Sequence, residues 1–269
     1  MINLPPMDQH HTVFWITGAS SGIGEALAKR LGTAGNAIII SGRDVKALEN
    51  LKSEIPQNVP VEILPFELIH IDTFDEVVQK ALSFWGHVDV LVNNAGVSQR
   101  SPALETSNEV ERRLMEINYF APVALSKALL PHFVSRKKGH IVVVSSIAGK
   151  FGFSLRSTYA AAKHALHGYF EALRLELKDI PVYVTLICPG RVLTKISFNA
   201  VKGDGSAHNL LDSGQRNGIT ADHCAKVIER AIKQKKYEVL IGKMELLPVY
   251  LRRYCPPVFY WLIKKVKAT

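Results

Sequence analysis

Val13-Phe14-Trp15-Ile16-Thr17-Gly18-Ala19-Ser20-Ser21-Gly22-Ile23-Gly24 is the stretch that decides how this chain is read. A short apolar, β-branched and aromatic run passes directly into a glycine-rich turn, after which Ile23, Ala26 and Leu27 begin a helical apolar face. Glycines at 18, 22 and 24 permit a tight turn and bring main chain close to a pyrophosphate, whose charge a helix N-terminus favours. The spacing is G-x-x-x-G-x-G rather than the G-x-G-x-x-G of the dinucleotide fingerprint. The turn alone therefore does not separate a nucleotide cradle from a structural bend, and the flanking sequence has to decide.

Working outward, short β-branched runs alternate with longer segments of helical period. Strands are expected at 13–17, 37–41, 61–66, 88–92, 140–145, 182–188 and 238–241. Helices are expected at 22–32, 44–53, 73–84, 109–136, 159–178 and 221–234. That is the sequence form of repeated βαβ units, and it predicts an α/β fold with a doubly wound, parallel, seven-stranded sheet of the Rossmann type. One catalytic domain over residues 1–243 is expected, followed by an apolar and basic extension at 244–269. Residues 195–218, rich in Gly, Asp, Ser and Asn, interrupt the alternation after a strand end. They are placed either to cover a substrate or to form a passive surface excursion.

Composition narrows the function. At 269 residues, 47% hydrophobic and 21% charged, the chain has the make-up of a globular protein and not of a disordered one. Cys188, Cys224 and Cys255 are far apart and odd in number, which suggests neither a disulfide framework nor a metal site and fits a reducing, cytoplasmic setting. Residues 1–11 lack a basic region followed by an apolar run, so no secretory leader is expected, and no stretch reaches the roughly 20 apolar residues that span a bilayer. The net charge of +9 suits phosphate-bearing ligands or anionic lipid, but the basic residues form no continuous patch with interleaved aromatics, and no nucleic-acid partner is expected.

The second expected strand ends in Ser41-Gly42-Arg43. An acid there hydrogen-bonds the ribose of NAD, whereas an Arg accommodates the extra phosphate of NADP. Arg43, with Ser20 as a further hydroxyl donor, points to NADP(H). Asp44 is the competing residue, but at the start of a helix it reads as an N-cap. Farther on, Tyr159 and Lys163 lie four apart and so share a helix face. A free Tyr has a pKa of roughly 10, so a nearby cation is needed to make it useful near neutrality. Ser146 precedes Tyr159 by thirteen residues, at the end of an expected strand.

Taken together these motifs resemble those of the short-chain dehydrogenases/reductases over essentially the whole chain. They are Thr17-Gly18-x-x-x-Gly22-x-Gly24, Asn93-Asn94-Ala95-Gly96, Asn118 in a long helix, Ser146 with Tyr159 and Lys163, and Pro189-Gly190 with Thr194. The resemblance implies that Tyr159 is the general acid in reduction and the base in oxidation, and that Ser146 holds the substrate oxygen. It implies that Lys163 binds the nicotinamide ribose and lowers the Tyr159 pKa, and that Asn118 positions a water in a proton relay. The implied cofactor contacts are Thr17, Gly18, Ser20, Ser21, Gly22, Ile23, Gly24, Arg43, Asn93, Ala95, Gly96, Tyr159, Lys163, Pro189, Gly190, Val192 and Thr194. Where family members carry Asp and an apolar residue against the adenine, this chain has Glu67-Leu68. Ser145 is a second hydroxyl, which strand alternation turns away from the side of Ser146. His164 reads as packing or surface, and no Gly-x-Ser-x-Gly elbow supports a hydrolase.

The extension joins Phe259, Tyr260 and Trp261 to Arg252, Arg253, Lys264, Lys265 and Lys267, broken by Pro248, Pro256 and Pro257. It reads as a lid or subunit contact, or as a peripheral membrane contact. Together with 199–206 it resembles the seven-B-like branch of the dehydrogenase/reductase members, which implies a bulky, lipid- or steroid-like carbonyl or alcohol. The resemblance also implies a homodimer or homotetramer. Two functions follow: an NADP(H) oxidoreductase, or a nucleotide-sensing protein that keeps the fold without turnover.

Overall fold

The central runs of the strands are apolar because both faces of the sheet are covered, as a parallel sheet requires. In the computed structural model, which describes residues 11–265, the nine strands are β1 (Thr12–Thr17), β2 (Asn36–Ser41), β3 (Val61–Ile63), β4 (Val90–Asn93), β5 (Gly139–Val144), β6 (Val182–Pro189), β7 (Val192–Leu193), β8 (Ile219–Thr220) and β9 (Glu238–Ile241). Seven of them form one sheet in the order β3-β2-β1-β4-β5-β6-β9, every pair parallel, while β7 and β8 pair separately. The expectations for residues 1–10 and for Lys267 lie outside the described residues.

The helices are α1 (Gly22–Leu31), α2 (Val45–Glu54), α3 (Phe74–Trp85), α4 (Asn108–Met115), α5 (Ala121–Arg136), α6 (Ser157–Glu176), α7 (Ser213–Arg216), α8 (Ala221–Lys233), α9 (Leu247–Tyr254) and α10 (Pro256–Ile263). Alternation along β1 separates two cores. Val13 and Trp15 face Phe74, Phe133 and Phe170 of α3, α5 and α6, while Phe14 and Ile16 face Leu27, Leu48 and Ile228 of α1, α2 and α8. The chain reverses its winding between β1 and β4, and this sets the crevice at the carboxyl ends of the strands.

Two expected elements are corrected. The helix read at 109–136 is two helices separated by a π-turn, Glu116–Phe120, so an extra residue is inserted at its centre. The third strand stops at Ile63, three residues before its expected end, and Phe66 instead packs edge-on against Trp15 and Phe74. The extension is helical, because its prolines sit in the first turns of α9 and α10, where the missing N–H has no partner to lose. Among the described residues no helix is long and apolar enough to cross a membrane.

Candidate active site

The glycine turn is held by its neighbour across the crevice. The Thr17 hydroxyl oxygen accepts from the Asn94 and Ala95 main-chain N–H groups at 3.1 and 3.2 Å, and the Asn94 side chain donates to the Thr17 and Gly18 carbonyls at 3.0 and 3.1 Å. Gly18 has φ +65°, and a Cβ there would stand 2.8 Å from the Ala95 Cα. A side chain at Gly18 would thus be both strained and crowded. Ser21 occupies the N-cap of α1 without a side-chain capping bond. Such a cradle, main chain and small residues ahead of a helix N-terminus, fits a dinucleotide pyrophosphate.

Thr17, Gly18, Ser20, Ser21, Gly22, Ile23, Arg43, Glu67, Leu68, Ala95, Gly96, Pro189, Gly190, Val192 and Thr194 all line one cavity of about 1050 Å³. Two expected contacts do not line it. Asn93 turns its amide toward α5 and donates to the Ser126 hydroxyl at 2.9 Å, because as the last residue of β4 it continues the face of Leu91. Gly24 instead lies behind the turn, where a Cβ would meet the Gly18 carbonyl oxygen at 2.3 Å. Asn94, the next residue, does line the cavity. Asp44 caps α2, accepting from Ala47 N–H at 3.0 Å, which leaves Arg43 as the charged group at the end of β2.

The same cavity is lined by Ser146, Tyr159, Lys163 and Asn118. Ser146 follows β5, and its hydroxyl accepts from Ala148 N–H at 3.1 Å and reaches the Pro189 carbonyl at 3.4 Å. Tyr159 is buried in the first turn of α6. Burial raises the pKa of its phenol, an effect opposed by a hydrogen bond with Ser146 and by the charges of Arg156 and Arg100. The sequence assigns the lowering to Lys163, whose ammonium lies 5.8 Å from the Tyr159 ring centre and donates to the Val144 carbonyl at 2.9 Å. Burial pulls the Lys163 pKa down to about 8. Asn118 sits in the π-turn, its amide hydrogens donated to Val97 and Leu114 carbonyls at 2.9 Å each and its Oδ1 accepting from Val97 N–H at 3.1 Å.

Behind these groups lies a cluster that sequence spacing does not reveal: His167, Cys188 and Glu238 carry ligand-type atoms within 4.8 Å of one another. The Lys150 ammonium bonds both His167 Nδ1 and Glu238, so a cation already fills the position between them. His167 Nε2 lies 3.1 Å from the Ser145 hydroxyl, which turns away from Ser146 as alternation requires. Burial lowers the His167 pKa to about 4 and pushes the Cys188 thiol up to about 12.

The apolar part of the cavity is less legible in sequence. Phe151, Phe153, Leu247, Pro248, Leu262 and Ile263 line it, and Phe151 packs on Phe259 of α10 at 5.4 Å between ring centres. Asp212, from the 195–218 segment, bonds Arg100 Nε at 2.9 Å and Arg156 Nη2 at 3.1 Å in the interior. His164 is spent on the Ala160 carbonyl of its own helix.

The short chain dehydrogenase family matches residues 12–204. The chain is 41% identical over 256 residues to dehydrogenase/reductase SDR family member 7B of Mus musculus, covering 93% of this chain and 79% of that one. A short-chain dehydrogenase from Streptomyces avermitilis superposes with a TM-score of 0.79 at 28% identity, over 94% of this chain and 96% of that one. A metagenomic short-chain oxidoreductase in complex with NADP does so with a TM-score of 0.72 at 30% identity, over 87% and 98%.

Proposed function

Because the chain belongs to the short-chain dehydrogenase/reductase family, oxidoreductases on a nucleotide-binding Rossmann fold, we propose that it uses NADP(H) to interconvert a carbonyl and a secondary alcohol on a bulky, apolar, lipid- or steroid-like molecule. The observation that carries this reading is that Ser146, Tyr159 and Lys163 line one cavity together with the apolar side chains of Phe151, Phe153, Leu247 and Leu262. Bound nicotinamide supplies or accepts the hydride. Tyr159 Oη gives its proton to the substrate oxygen in reduction and, as phenolate, takes one back in oxidation; burial, which raises the phenol pKa, favours the protonated form that reduction needs. Ser146 Oγ donates to the same oxygen where negative charge develops. Lys163 orients the nucleotide ribose. Asn118, with both amide hydrogens committed, contributes to a water-borne relay only through acceptor oxygens.

Arg43 and Ser20, in the loops after β2 and β1 and lining one cavity, support NADP(H) over NAD(H). The alternative of a silent nucleotide-binding protein is disfavoured because Tyr159, Ser146, Lys163 and Asn118 all line one cavity. We read residues 244–265 as a wall of the substrate chamber, since Leu247, Pro248, Leu262 and Ile263 line it. A peripheral contact with anionic lipid is a second reading of the same segment, favoured by its exposed Tyr250, Tyr254, Tyr260 and Trp261 beside Arg252, Arg253, Lys264 and Lys265. A cytoplasmic homodimer or homotetramer acting on small molecules and not on nucleic acid completes the proposal. The test is titration with NADPH and NADH, then nucleotide oxidation against a panel of bulky ketones and aldehydes. Tighter NADPH binding with turnover is the expected result. Preferential NADH binding overturns the Arg43 assignment, and binding without turnover favours the silent alternative.

A further inference from the structure

One buried polar residue beside the reacting groups has no part in the steps above. Helix α6, which carries Tyr159, begins at the exposed Ser157 and turns inward at once, so that the main-chain N–H groups of the buried Thr158 and Tyr159 need acceptors from the protein. Arg156, at its N-cap, makes no side-chain capping bond. The acceptor comes instead from a distant loop: the carboxamide oxygen of Gln99, which is wholly buried, accepts from Thr158 N–H at 3.0 Å and from Tyr159 N–H at 3.2 Å. The amide nitrogen of Gln99 faces the hydroxyls of Ser101 at 3.2 Å, Thr106 at 3.1 Å and Ser157 at 3.4 Å. On its main chain, Gln99 forms a parallel bridge to Val201, with Arg100 N–H donating to the Val201 carbonyl at 2.8 Å and Val201 N–H to the Ser98 carbonyl at 2.9 Å.

A single residue thus holds the main chain of Tyr159 and the 195–218 segment together. We propose that Gln99 is a positioning residue for Tyr159: its carboxamide oxygen fixes the first turn of α6, and so the placement of the phenol against Ser146, while its main chain ties that turn to the segment covering the substrate side. The inference rests on Tyr159 being the proton donor. It gains force from chemistry, since a proton donor displaced by about 1 Å loses on the order of a hundredfold in rate even when binding is unaffected. A residue that merely fills space would alter stability and leave the rate of each folded molecule alone.

The test uses three variants in the purified full chain with NADPH and the panel carbonyl that turns over fastest. Gln99→Met removes acceptor and donors together, Gln99→Glu keeps an acceptor oxygen and removes the donors, and Tyr159→Phe reports on the reading beneath. Gln99→Met is expected to lower kcat about 10- to 100-fold, with KM and the NADPH dissociation constant within about threefold of the parent. Gln99→Glu is expected to recover most of that loss, because the carboxylate still accepts from both N–H groups. Should Gln99→Met not accumulate as folded protein, Gln99→Asn, which shortens the reach by one carbon, carries the same expectation. Parental kcat in Gln99→Met, or a loss that Gln99→Glu does not recover, overturns the proposal. If Tyr159→Phe is inactive while Gln99→Met matches the parent, only the positioning role falls. Activity in Tyr159→Phe, or none in the parent protein, removes the reading on which it stands.

Discussion

The two walls of the cleft are built by opposite means. On the nucleotide side, three short loops at neighbouring strand ends, 17–24, 41–43 and 93–96, are joined mainly by bonds that involve main chain, with Thr17 and Asn94 as the links. On the substrate side the pieces come from across the sequence and, beside the main-chain bridge of Gln99 to Val201, are joined by buried side chains. Arg100 meets Asp212 at a separation of 112 residues, Arg156 meets it at 56, and α10 is anchored by ring packing on Phe151. A wall set by local backbone geometry tolerates little change in residue size, whereas one set by a buried ion cluster tolerates little change in charge. The first kind can be reused for one ligand, and the second adapted to many.

Four experiments sharpen or break that contrast. The largest effect is expected at the seam between the walls: Tyr159→Phe should reduce kcat by roughly 10²- to 10⁴-fold, with NADPH binding retained, as read by single-turnover fluorescence. A loss of NADPH affinity on the same scale would mean that the phenol belongs to the nucleotide wall. Next, Asp212→Ala leaves Arg100, whose side chain is 2% exposed, without its carboxylate. A destabilisation of about 3–5 kcal/mol is expected, seen as a melting temperature lower by on the order of 10 °C. NADPH protection of the variant should persist; its disappearance would show that the walls are not independent.

Arg43→Ala touches only the nucleotide wall. It should weaken NADPH by about 10- to 100-fold and leave NADH within about threefold, the difference expected of a lost charged hydrogen bond. Equal losses for both nucleotides would remove Arg43 as the phosphate contact. The smallest effect is on pH. The Lys163 pKa is depressed to about 8, so its ammonium is intact below that pH and lost above it, and the rate of reduction should fall to about a tenth of its plateau by pH 9. Stability runs the other way. An unfolded Lys holds its proton to a higher pH, so this group's contribution to stability rises with pH between about 8 and 10.5. A rate that stays flat to pH 10 would show that the charge on Lys163 is not used.

The contrast also explains what the sequence reveals. The strand at 238–241 has the bounds expected of it, and the alternation of strands and helices and the glycine turn follow from short-range pattern because local geometry makes them. The turn of the Asn93 side chain toward α5 has a sequence signal: β4 alternates, Leu91 faces α5, and the residue two positions on does the same. The prolines of the extension looked like breaks, yet at helix starts they are favourable. The Arg100–Asp212–Arg156 cluster, the packing of Phe151 on Phe259 and the capping of α6 by Gln99 were beyond reach, since nothing local in a sequence marks which distant residue a side chain will meet.

The π-turn at Glu116–Phe120 carries a consequence for how this helix tolerates change in length. Each residue advances an α-helix by about 100°, so one surplus residue puts α4 and α5 out of phase by about that angle. Deleting a single residue there would let the hydrogen-bond ladder run uninterrupted, an apparent improvement in local regularity. It would also swing Asn118 off Val97 and rotate either the face that α4 presents to α6 or the face that α5 presents to the sheet. The irregular turn works as a phase shifter between two helical faces, and a chain edited toward a more ideal helix would lose the alignment of both.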